Sequence, residues 1–313
     1  MKCCRLLSIG TCFFIVLISA PAWGWMFSGH MLTGAIAYDT LKNENPKALA
    51  AVVAILKQNP LYDKMWAKKL DKVAPDDRDQ ALFMLAARWP DDIRGNSDYD
   101  HPNWHYIDYP FKPAGQPDSV QVADPPDPNI ETAFRTNVDI IKGDASDAEK
   151  AVALCWIFHL MGDSHQPLHA VSLFTTDYPG PTGDQGGNKS FIRAKTDGEP
   201  LKLHRFWDGL ISSTEDTRDI RKLAIELRNK FPQDKLDPQA TQVSPADFAN
   251  WIQESAQLAR NDVYQNGLLA TSPEKETAPV LSDEYIQHAK SLGEERVTLA
   301  GYRTADVLAQ LFQ

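Results

Sequence analysis

The sequence has little cysteine, an excess of negative charge, and no long hydrophobic run beyond its first twenty residues. Only four Cys occur in 313 residues, and 32 Lys and Arg stand against 42 Asp and Glu, which gives a formal net charge of −10. Because long duplexes are held through basic surfaces, this balance argues against a protein that binds duplexes in that way. The mean hydropathy of −0.38 excludes a polytopic membrane protein. The length allows one large domain or two ordinary ones.

The first 24 residues have the pattern of a secretory signal peptide. Lys2 and Arg5 form a positive n-region, and residues 6–19 are mostly apolar. This segment is too short and wrongly flanked for a spanning helix, although an uncleaved anchor is the alternative. We therefore expect a cleaved signal peptide at 1–24, a mature domain at 25–313, a secreted or periplasmic location and no stable membrane association.

Cleavage of the signal peptide would remove most of the cysteine. Cys3, Cys4 and Cys12 lie within it, so the mature chain would keep only Cys155. An exported protein of this size would then have no intrachain disulfide. Its stability would come from its core and from any metal that it binds.

The apolar residues beyond the signal peptide recur at helical spacing. No internal repeat and no convincing linker interrupts them. The fold class that we predict is mainly α, a single-domain helical bundle. The predicted helices cover 29–41, a segment that starts at 45–46, 76–88 with a stop at Pro90, 144–159, 203–211, 214–231, 244–264 and 282–311. Predicted Pro- and Gly-rich loops cover 91–127 and 177–189, and 190–193 is a short strand.

Two His–Asp pairs have the spacing of metal ligands. His159 and Asp163, and likewise His204 and Asp208, lie four residues apart, on one face of a helix. A single pair of this kind is most often a surface salt bridge, but two pairs with His169 between them favour metal binding. Imidazole nitrogen with carboxylate oxygen is a ligand set that zinc accepts.

The other histidines fall into two groups. His30 and His105 also stand beside residues that suggest ligation, whereas His101, His165 and His288 have no such partners and are interpreted as solvent or core histidines. His165 lies between two expected ligands, so a supporting role behind them is the alternative.

Several ordered motifs together carry a resemblance to a known family. The string His159-Leu-Met-Gly-Asp163-Ser-His-Gln-Pro-Leu-His169 is followed by Gly186-Gly-Asn188-Lys189 and by Leu203-His204-Arg-Phe-Trp-Asp208. Upstream stand Trp89-Pro-Asp91-Asp-Ile-Arg94 and Trp104-His105-Tyr106-Ile-Asp108. This pattern resembles the S1/P1 nuclease family, whose superfamily also holds the zinc-dependent bacterial phospholipases C. The match has strong motifs from about Trp25 to Asp208 and is weaker beyond.

The resemblance implies an α-helical fold that encloses three zinc ions at the bottom of a cleft. It implies that one zinc binds Asp91, His105, His159 and Asp163, a second His169, His204 and Asp208, and a third His30, Asp163 and the main chain of an N-terminal Trp25. Asp163 would then bridge two ions, which a carboxylate can do because it has two oxygens.

The N-terminal ligand bears on the cleavage site. Cleavage after Ala22 would give a start at Trp23, and cleavage after Gly24 would give a start at Trp25. The family places its ligating histidine five residues after the terminal Trp, which matches Trp25 and His30. We therefore predict cleavage after Gly24, with Trp23 as the alternative.

The resemblance also implies roles for four further residues. Asp108 would orient the attacking water, and Arg94 would neutralise charge on the phosphoryl oxygens unless it only pairs with Asp91 or Asp92. Tyr106 would stack on an unpaired base, with core packing as the alternative. Asn188 would bind a base edge, with a turn role equally open.

The function that we predict is a secreted, zinc-dependent hydrolase of bacterial origin. It would be an endonuclease and 3′-nucleotidase that cleaves single-stranded DNA, RNA and 3′-nucleotides and leaves 5′-phosphates, and a monomer is expected. The alternatives are a phospholipase C that acts on lipid head groups and a non-catalytic zinc-binding protein. Asp208 favours the nuclease, since the phospholipases usually carry Glu there, and no amphipathic membrane segment stands out.

Overall fold

A computed structural model describes residues 25–236 and 245–313, and this part of the chain is mainly helical, as predicted. It contains eleven α-helices, several short 3₁₀ or π turns and four short strands. The α-helices are α1 (Phe27–Glu44), α2 (Pro46–Leu56), α3 (Lys68–Leu70), α4 (Arg78–Asp92), α5 (Ile130–Lys142), α6 (Asp147–Asp163), α7 (Leu203–Asp208), α8 (Thr217–Lys230), α9 (Gln233–Leu236), α10 (Phe248–Leu258) and α11 (Asp283–Leu311).

The strands form two small two-stranded sheets in the described residues. β1 (Tyr109–Phe111) runs parallel to β2 (Val171–Leu173), and β3 (Phe191–Ile192) runs antiparallel to β4 (Leu201–Lys202). The first sheet ties the segment after His105 to the segment after α6.

Helix α6 is enclosed by other helices of the described residues. It starts at a capping box, in which Ser146 and Glu149 satisfy each other's main-chain groups, and is buried along almost its whole second half. The helix carries buried apolar residues such as Trp156 and Phe158 on all its faces, which is the pattern of a helix enclosed by other helices. Helices α1, α2, α4, α5 and α11 pack around it. Its last residue, Asp163, therefore lies inside the protein.

The predicted stop at Pro90 is wrong, because α4 continues through this proline to Asp92. A proline near the end of a helix removes only one main-chain hydrogen bond, and burial of the apolar Trp89 on the core side compensates for that loss. The extra turn brings the Asp91 carboxylate into the interior.

The other predicted elements are found with shifted ends. Helix α6 extends one turn beyond the predicted 144–159, and the segment predicted as one helix over 244–264 is α10 followed by a π turn, Ala259–Val263. Helix α5 was not predicted, although Asn129 caps it in a capping box. The predicted loop 91–127 contains β1.

Some predictions concern residues outside the described ranges. The signal peptide, both cleavage sites, Cys3, Cys4, Cys12 and Ser244 fall there, so their predictions stay predictions. Within 25–236 and 245–313, no helix combines the length and the apolar character that crossing a membrane requires. Cys155 is free and buried in the same part of the chain.

Candidate metal centre

The structure brings the predicted side-chain ligands together in one buried region. Helices α1, α4, α6 and α7 and two 3₁₀ turns supply them. Every one of these side chains is nearly or fully buried: His30, Asp91, His105, His159, Asp163, His169, His204 and Asp208.

The Asp163 carboxylate lies at the centre of the group. Its Oδ2 is 3.0 Å from Nδ1 of His105 and 3.1 Å from Nε2 of His159. Its Oδ1 is 3.3 Å from Nε2 of His30 and 3.6 Å from Nδ1 of His169. One carboxylate thus contacts four imidazoles from four separate segments of the chain.

The ligand atoms form three sets, in each of which all atoms lie within 4.8 Å of one another. Two sets share His159, so they adjoin. The sets are His30, Asp91 and His159; His105, His159 and Asp163; and His169, His204 and Asp208. Each set has the nitrogen and oxygen donors that a transition metal such as zinc accepts.

Main-chain carbonyl oxygens fix the orientation of three of the histidines. When Nδ1 carries the proton and donates it to a carbonyl oxygen, Nε2 has no proton and its lone pair is free to bind a metal. The Nδ1 atoms of His159, His169 and His204 lie 2.9, 2.6 and 2.6 Å from the carbonyl oxygens of Ala87, His105 and Gly186.

Several inward-facing polar atoms are buried without a hydrogen-bond partner among the described residues. Such atoms are rare in folded proteins, because each costs about 1–3 kcal/mol when it is left unsatisfied. A cation would satisfy the carboxylate oxygens and the imidazole lone pairs together, so these residues fit a metal. The inward-facing atoms are Nε2 of His30 and His169, Oδ2 of Asp91 and Oδ1 of Asp163. Nε2 of His105 also lacks a partner, but this imidazole faces Asp163 through Nδ1.

The surroundings shift the pKa values of Asp163 and Asp208 in opposite directions. Burial favours a neutral Asp163, yet the imidazoles of His159 and His169 outweigh burial and hold the pKa of Asp163 well below its ordinary value. Burial raises the pKa of Asp208 well above its ordinary value, against a hydrogen bond from Nε2 of Gln166 at 2.8 Å. Burial also lowers the pKa of His105 to about 4, which keeps this imidazole neutral and able to bind a metal.

Gly162 allows His30 to approach α6. The His30 ring stacks on His159 with 3.8 Å between ring centroids. A Cβ atom at position 162 would lie only 2.7 Å from Nδ1 of His30, so any larger residue must displace that ring. The lack of a side chain at position 162 therefore makes room for the His30 ring.

Trp25 lies beside this region. Its side chain is completely buried, and the N–H of Met26 donates to the carbonyl oxygen of Asp208 at 3.2 Å. The main chain of Trp25 is thus next to a predicted ligand.

Of the two predicted catalytic residues, Arg94 contacts a predicted ligand directly. Arg94 donates from Nε and Nη2 to Oδ1 of Asp91, at 2.9 and 2.7 Å, so the ion pair that was the alternative is present. Burial, followed by the charge of Asp184, raises the pKa of Asp108 to about 7, while Lys189 opposes this shift.

The two predicted substrate-binding residues are both half-buried. The Tyr106 hydroxyl donates to Oδ1 of Asn103 at 3.4 Å, and Tyr106 is not among the buried core residues. The Asn188 side chain donates to the carbonyl oxygen of Gln185 at 3.0 Å, which is the turn role left open by the sequence.

The remaining histidines lie outside the group of ligands. His165 is buried, and its Nε2 is 3.0 Å from Nη1 of Arg303. His101 is half-buried and stacks on Trp104, and the exposed His288 is 2.8 Å from Asp262.

Two supporting residues were missed in the sequence. Gln166, which donates to Asp208, lies inside the quoted motif and could have been found there as a polar residue between two ligands. Asp184 stands just before the Gly-Gly-Asn segment, but its partner Tyr264 is 80 residues away, and no local pattern links them.

Comparison with known proteins gives a single family. The profile described as S1/P1 Nuclease matches residues 23–313. The chain is 31% identical to Endonuclease 3 of Arabidopsis thaliana over 169 residues, which cover 51% of this chain and 51% of that protein. It is 24% identical to Nuclease S1 of Aspergillus oryzae (strain ATCC 42149 / RIB 40) over 188 residues, which cover 56% of this chain and 59% of that protein. The chain spans about half the length of the curated relatives that it matches.

Proposed function

The chain belongs to the S1/P1 nuclease family, and from this membership and the buried His–Asp centre we propose that it hydrolyses phosphoester bonds in nucleic acid. The observation that carries the proposal is the contact of Asp163 with four imidazoles in a region rich in unsatisfied polar atoms. The family is metal-dependent, and the three His–Asp sets supply the donors.

The metal that we propose is zinc, with three ions. The sharing of His159 by two sets supports neighbouring ions, and the third set adjoins through Asp163, which contacts His169 at 3.6 Å. We further propose that Trp25 completes one site through its main chain, because its neighbour Met26 bonds to the Asp208 carbonyl. Bound zinc supplies Lewis acidity and a source of nucleophilic water near neutral pH.

The protein's own groups prepare the reaction. Asp108, with its pKa near 7, would accept a hydrogen bond from the attacking water when it is ionised. Arg94 is held by Asp91 at 2.7 Å and would face the phosphoryl oxygens, where a fixed cation stabilises developing charge.

The proposed substrates are single-stranded DNA, single-stranded RNA and 3′-nucleotides, with 5′-phosphates as products. The half-buried ring of Tyr106 supports a preference for unpaired bases, because stacking needs a free base face. The names of the relatives, endonuclease and nuclease, support the same class of substrate. For Asn188 a base contact competes with its hydrogen bond to Gln185.

The phospholipase C alternative is not favoured, because the family profile and the relatives all point to nucleases. The carboxylate at position 208 is Asp, as expected for the nuclease branch. We also propose that residues 1–24 are a signal peptide, that the mature domain covers 25–313, and that it is exported and acts as a monomer.

One assay tests the function directly. Purified mature protein is incubated with single-stranded DNA, a 3′-nucleotide and phosphatidylcholine, each with and without EDTA. We expect chelator-sensitive release of phosphate or 5′-phosphate fragments from the first two substrates. Release from phosphatidylcholine alone would support the phospholipase, and no release from any substrate would contradict an enzyme.

A pair of variants tests the site. Asp163→Asn should abolish zinc retention and activity together, because it weakens the contacts with all four imidazoles. Asp139→Asn, on the exposed side of α5, is the matched control and should behave as the wild type. Full activity in Asp163→Asn would overturn the proposed centre.

A further inference from the structure

Asp184 is a completely buried carboxylate in the loop before β3. Its Oδ1 accepts from the N–H of Leu173 at 2.9 Å. Its Oδ2 accepts from the hydroxyls of Ser190 at 2.9 Å and Tyr264 at 2.8 Å. Its own N–H donates to the Leu173 carbonyl, and its carbonyl accepts from the N–H of Lys189. The Asp184 side chain thus connects the loop 183–190 to Leu173 in β2, to Ser190 at the end of the loop and to Tyr264.

The loop needs such an anchor because of its backbone. Gly183, Gln185, Gly186 and Gly187 all have positive φ, between +56° and +79°. A Cβ at Gly186 would collide with the carbonyl oxygen of Leu168. The left-handed conformation costs free energy at Gln185, and ordering the glycines costs conformational entropy. The loop therefore needs hydrogen bonds that hold its backbone in place.

The same loop contacts a predicted metal ligand. The carbonyl of Gly186 lies 2.6 Å from Nδ1 of His204, and the N–H of His204 donates to the carbonyl of Gly187 at 3.3 Å. The N–H of Leu203 donates to the carbonyl of Ser190 at 2.8 Å. The position of the His204 ring therefore depends on the shape of the loop.

We propose that Asp184 is a positioning residue for the set His169, His204 and Asp208: it holds the loop so that the Gly186 carbonyl orients the His204 imidazole toward the metal. This inference rests on the proposed function. Asp184 itself does not touch the metal in this proposal. It acts through the loop, as groups behind metal ligands commonly do.

Zinc release from two variants tests the proposal. Asp184→Ala removes every hydrogen bond that the Asp184 carboxylate accepts, whereas Asp184→Asn can still accept from Leu173 and bond to the two hydroxyls, which can rotate. In zinc-loaded Asp184→Ala, we expect one ion to pass to a coloured chelator roughly 10–100 times faster than in the wild type. The other ions should leave at the wild-type rate, and Asp184→Asn should be close to the wild type.

A matched control separates positioning from general destabilisation. Asn137, on α5, is also buried and donates to the Ala133 carbonyl, away from the centre. Asn137→Ala should lower stability without changing any zinc release rate. If Asp184→Ala releases all its ions faster, or releases none faster, Asp184 does not position His204. If Asp184→Asn is as fast as Asp184→Ala, the charge matters rather than the loop, which also contradicts the proposal.

A second readout needs no metal. In the metal-free wild type, the ¹⁵N spectrum of His204 should show a proton on Nδ1, because Gly186 accepts it. Asp184→Ala should shift His204 toward a mixture of tautomers, and an unchanged spectrum would overturn the proposal. If Asp184→Ala does not fold, Tyr264→Phe removes one donor and should give a smaller change in the same direction.

The wild type distinguishes the two levels of inference. Wild-type protein that retains no zinc contradicts the proposed function and this inference with it. Wild-type protein that retains zinc while Asp184→Ala releases it at the wild-type rate contradicts only the role of Asp184.

Discussion

At the scale of single residues, individual side chains of the centre have more than one partner. Asp163 contacts four imidazoles, and His159 belongs to two of the three ligand sets. Substitutions at residues that share a partner are not additive in their effects. The loss of zinc affinity measured for a single ligand variant therefore cannot be assigned to one ion alone.

Gly162 gives a steric prediction. An alanine in a helix usually stabilises it by up to about 1 kcal/mol relative to glycine. Here the added Cβ would lie 2.7 Å from Nδ1 of His30, so we expect Gly162→Ala to displace that ring and to weaken zinc binding roughly 10–100-fold. Competition with a chelator measures the affinity.

The control for that substitution is Gly143→Ala. Gly143 lies at the end of α5, where the nearest atom to an added Cβ is the Asp139 carbonyl oxygen at 3.1 Å. This variant should keep wild-type zinc affinity. Wild-type affinity in Gly162→Ala as well would show that His30 can move without loss.

Asp108 gives a prediction about pH. Its pKa is raised to about 7, so the fraction of carboxylate rises as the pH increases through neutrality. If the carboxylate accepts the water's hydrogen bond, kcat/KM should increase from pH 5 to 8 and then level off. Asp108→Asn should lower the rate by about 10²–10⁴-fold and remove the acid limb. The exposed Asp118→Asn should keep both rate and profile, and an acid limb that survives in Asp108→Asn would contradict the assignment.

The sequence predicts those parts of the centre that are local. His159 and Asp163 lie one helical turn apart, so their spacing alone places them on one face, and the structure gives 3.1 Å between them. The meeting of His30 with Gly162, or of Asp184 with Tyr264, joins segments far apart in the chain. Such contacts follow from packing, which periodicity does not encode.

At the scale of elements, the sequence predicted the type of each long helix better than its end. The helix predicted over 282–311 is found as α11, with Ser282 as its cap. The proline rule failed at Pro90, because the core side of α4 is buried there. Helix α5 was overlooked between a long loop and the apolar α6, although residues such as Phe134 and Val138 form one apolar face.

The start of α6 gives a prediction about stability. Ser146 accepts from the N–H of Glu149, and the Glu149 carboxylate accepts from the N–H of Ser146. Ser146→Ala should lower the free energy of unfolding by about 1 kcal/mol, because a helix cap is lost. Urea denaturation measures this change. Zinc affinity should stay at the wild-type value, because Asp163 lies at the opposite end of α6, and a large fall in affinity would contradict the separation.

At the scale of the whole molecule, we propose that an acidic protein acts on a polyanion. The net charge is −10, and removal of Lys2 and Arg5 with the predicted signal peptide would make it more negative by two. Three zinc ions would place up to six positive charges in one cleft. The attraction for phosphate would then be local and would come from metal rather than from a basic surface.

Metal should also contribute to global stability. Each ion present at a hundredfold its Kd adds about 2.7 kcal/mol if it binds only the folded chain. Removal of zinc by EDTA should therefore lower Tm by at least about 5 °C. Differential scanning calorimetry measures the shift, and Asp163→Asn should show little response to EDTA. An unchanged wild-type Tm would mean that zinc does not stabilise this fold.

The buried position of Trp25 affects how the protein should be produced. The ring of Trp25 is enclosed, and its main chain adjoins Asp208, so an affinity tag fused directly ahead of it would have to share that space. Gln313, at the other end of the chain, is exposed. A purification handle belongs after Gln313, and preparations tagged ahead of Trp25 should be compared with untagged protein before inactivity is attributed to the protein itself.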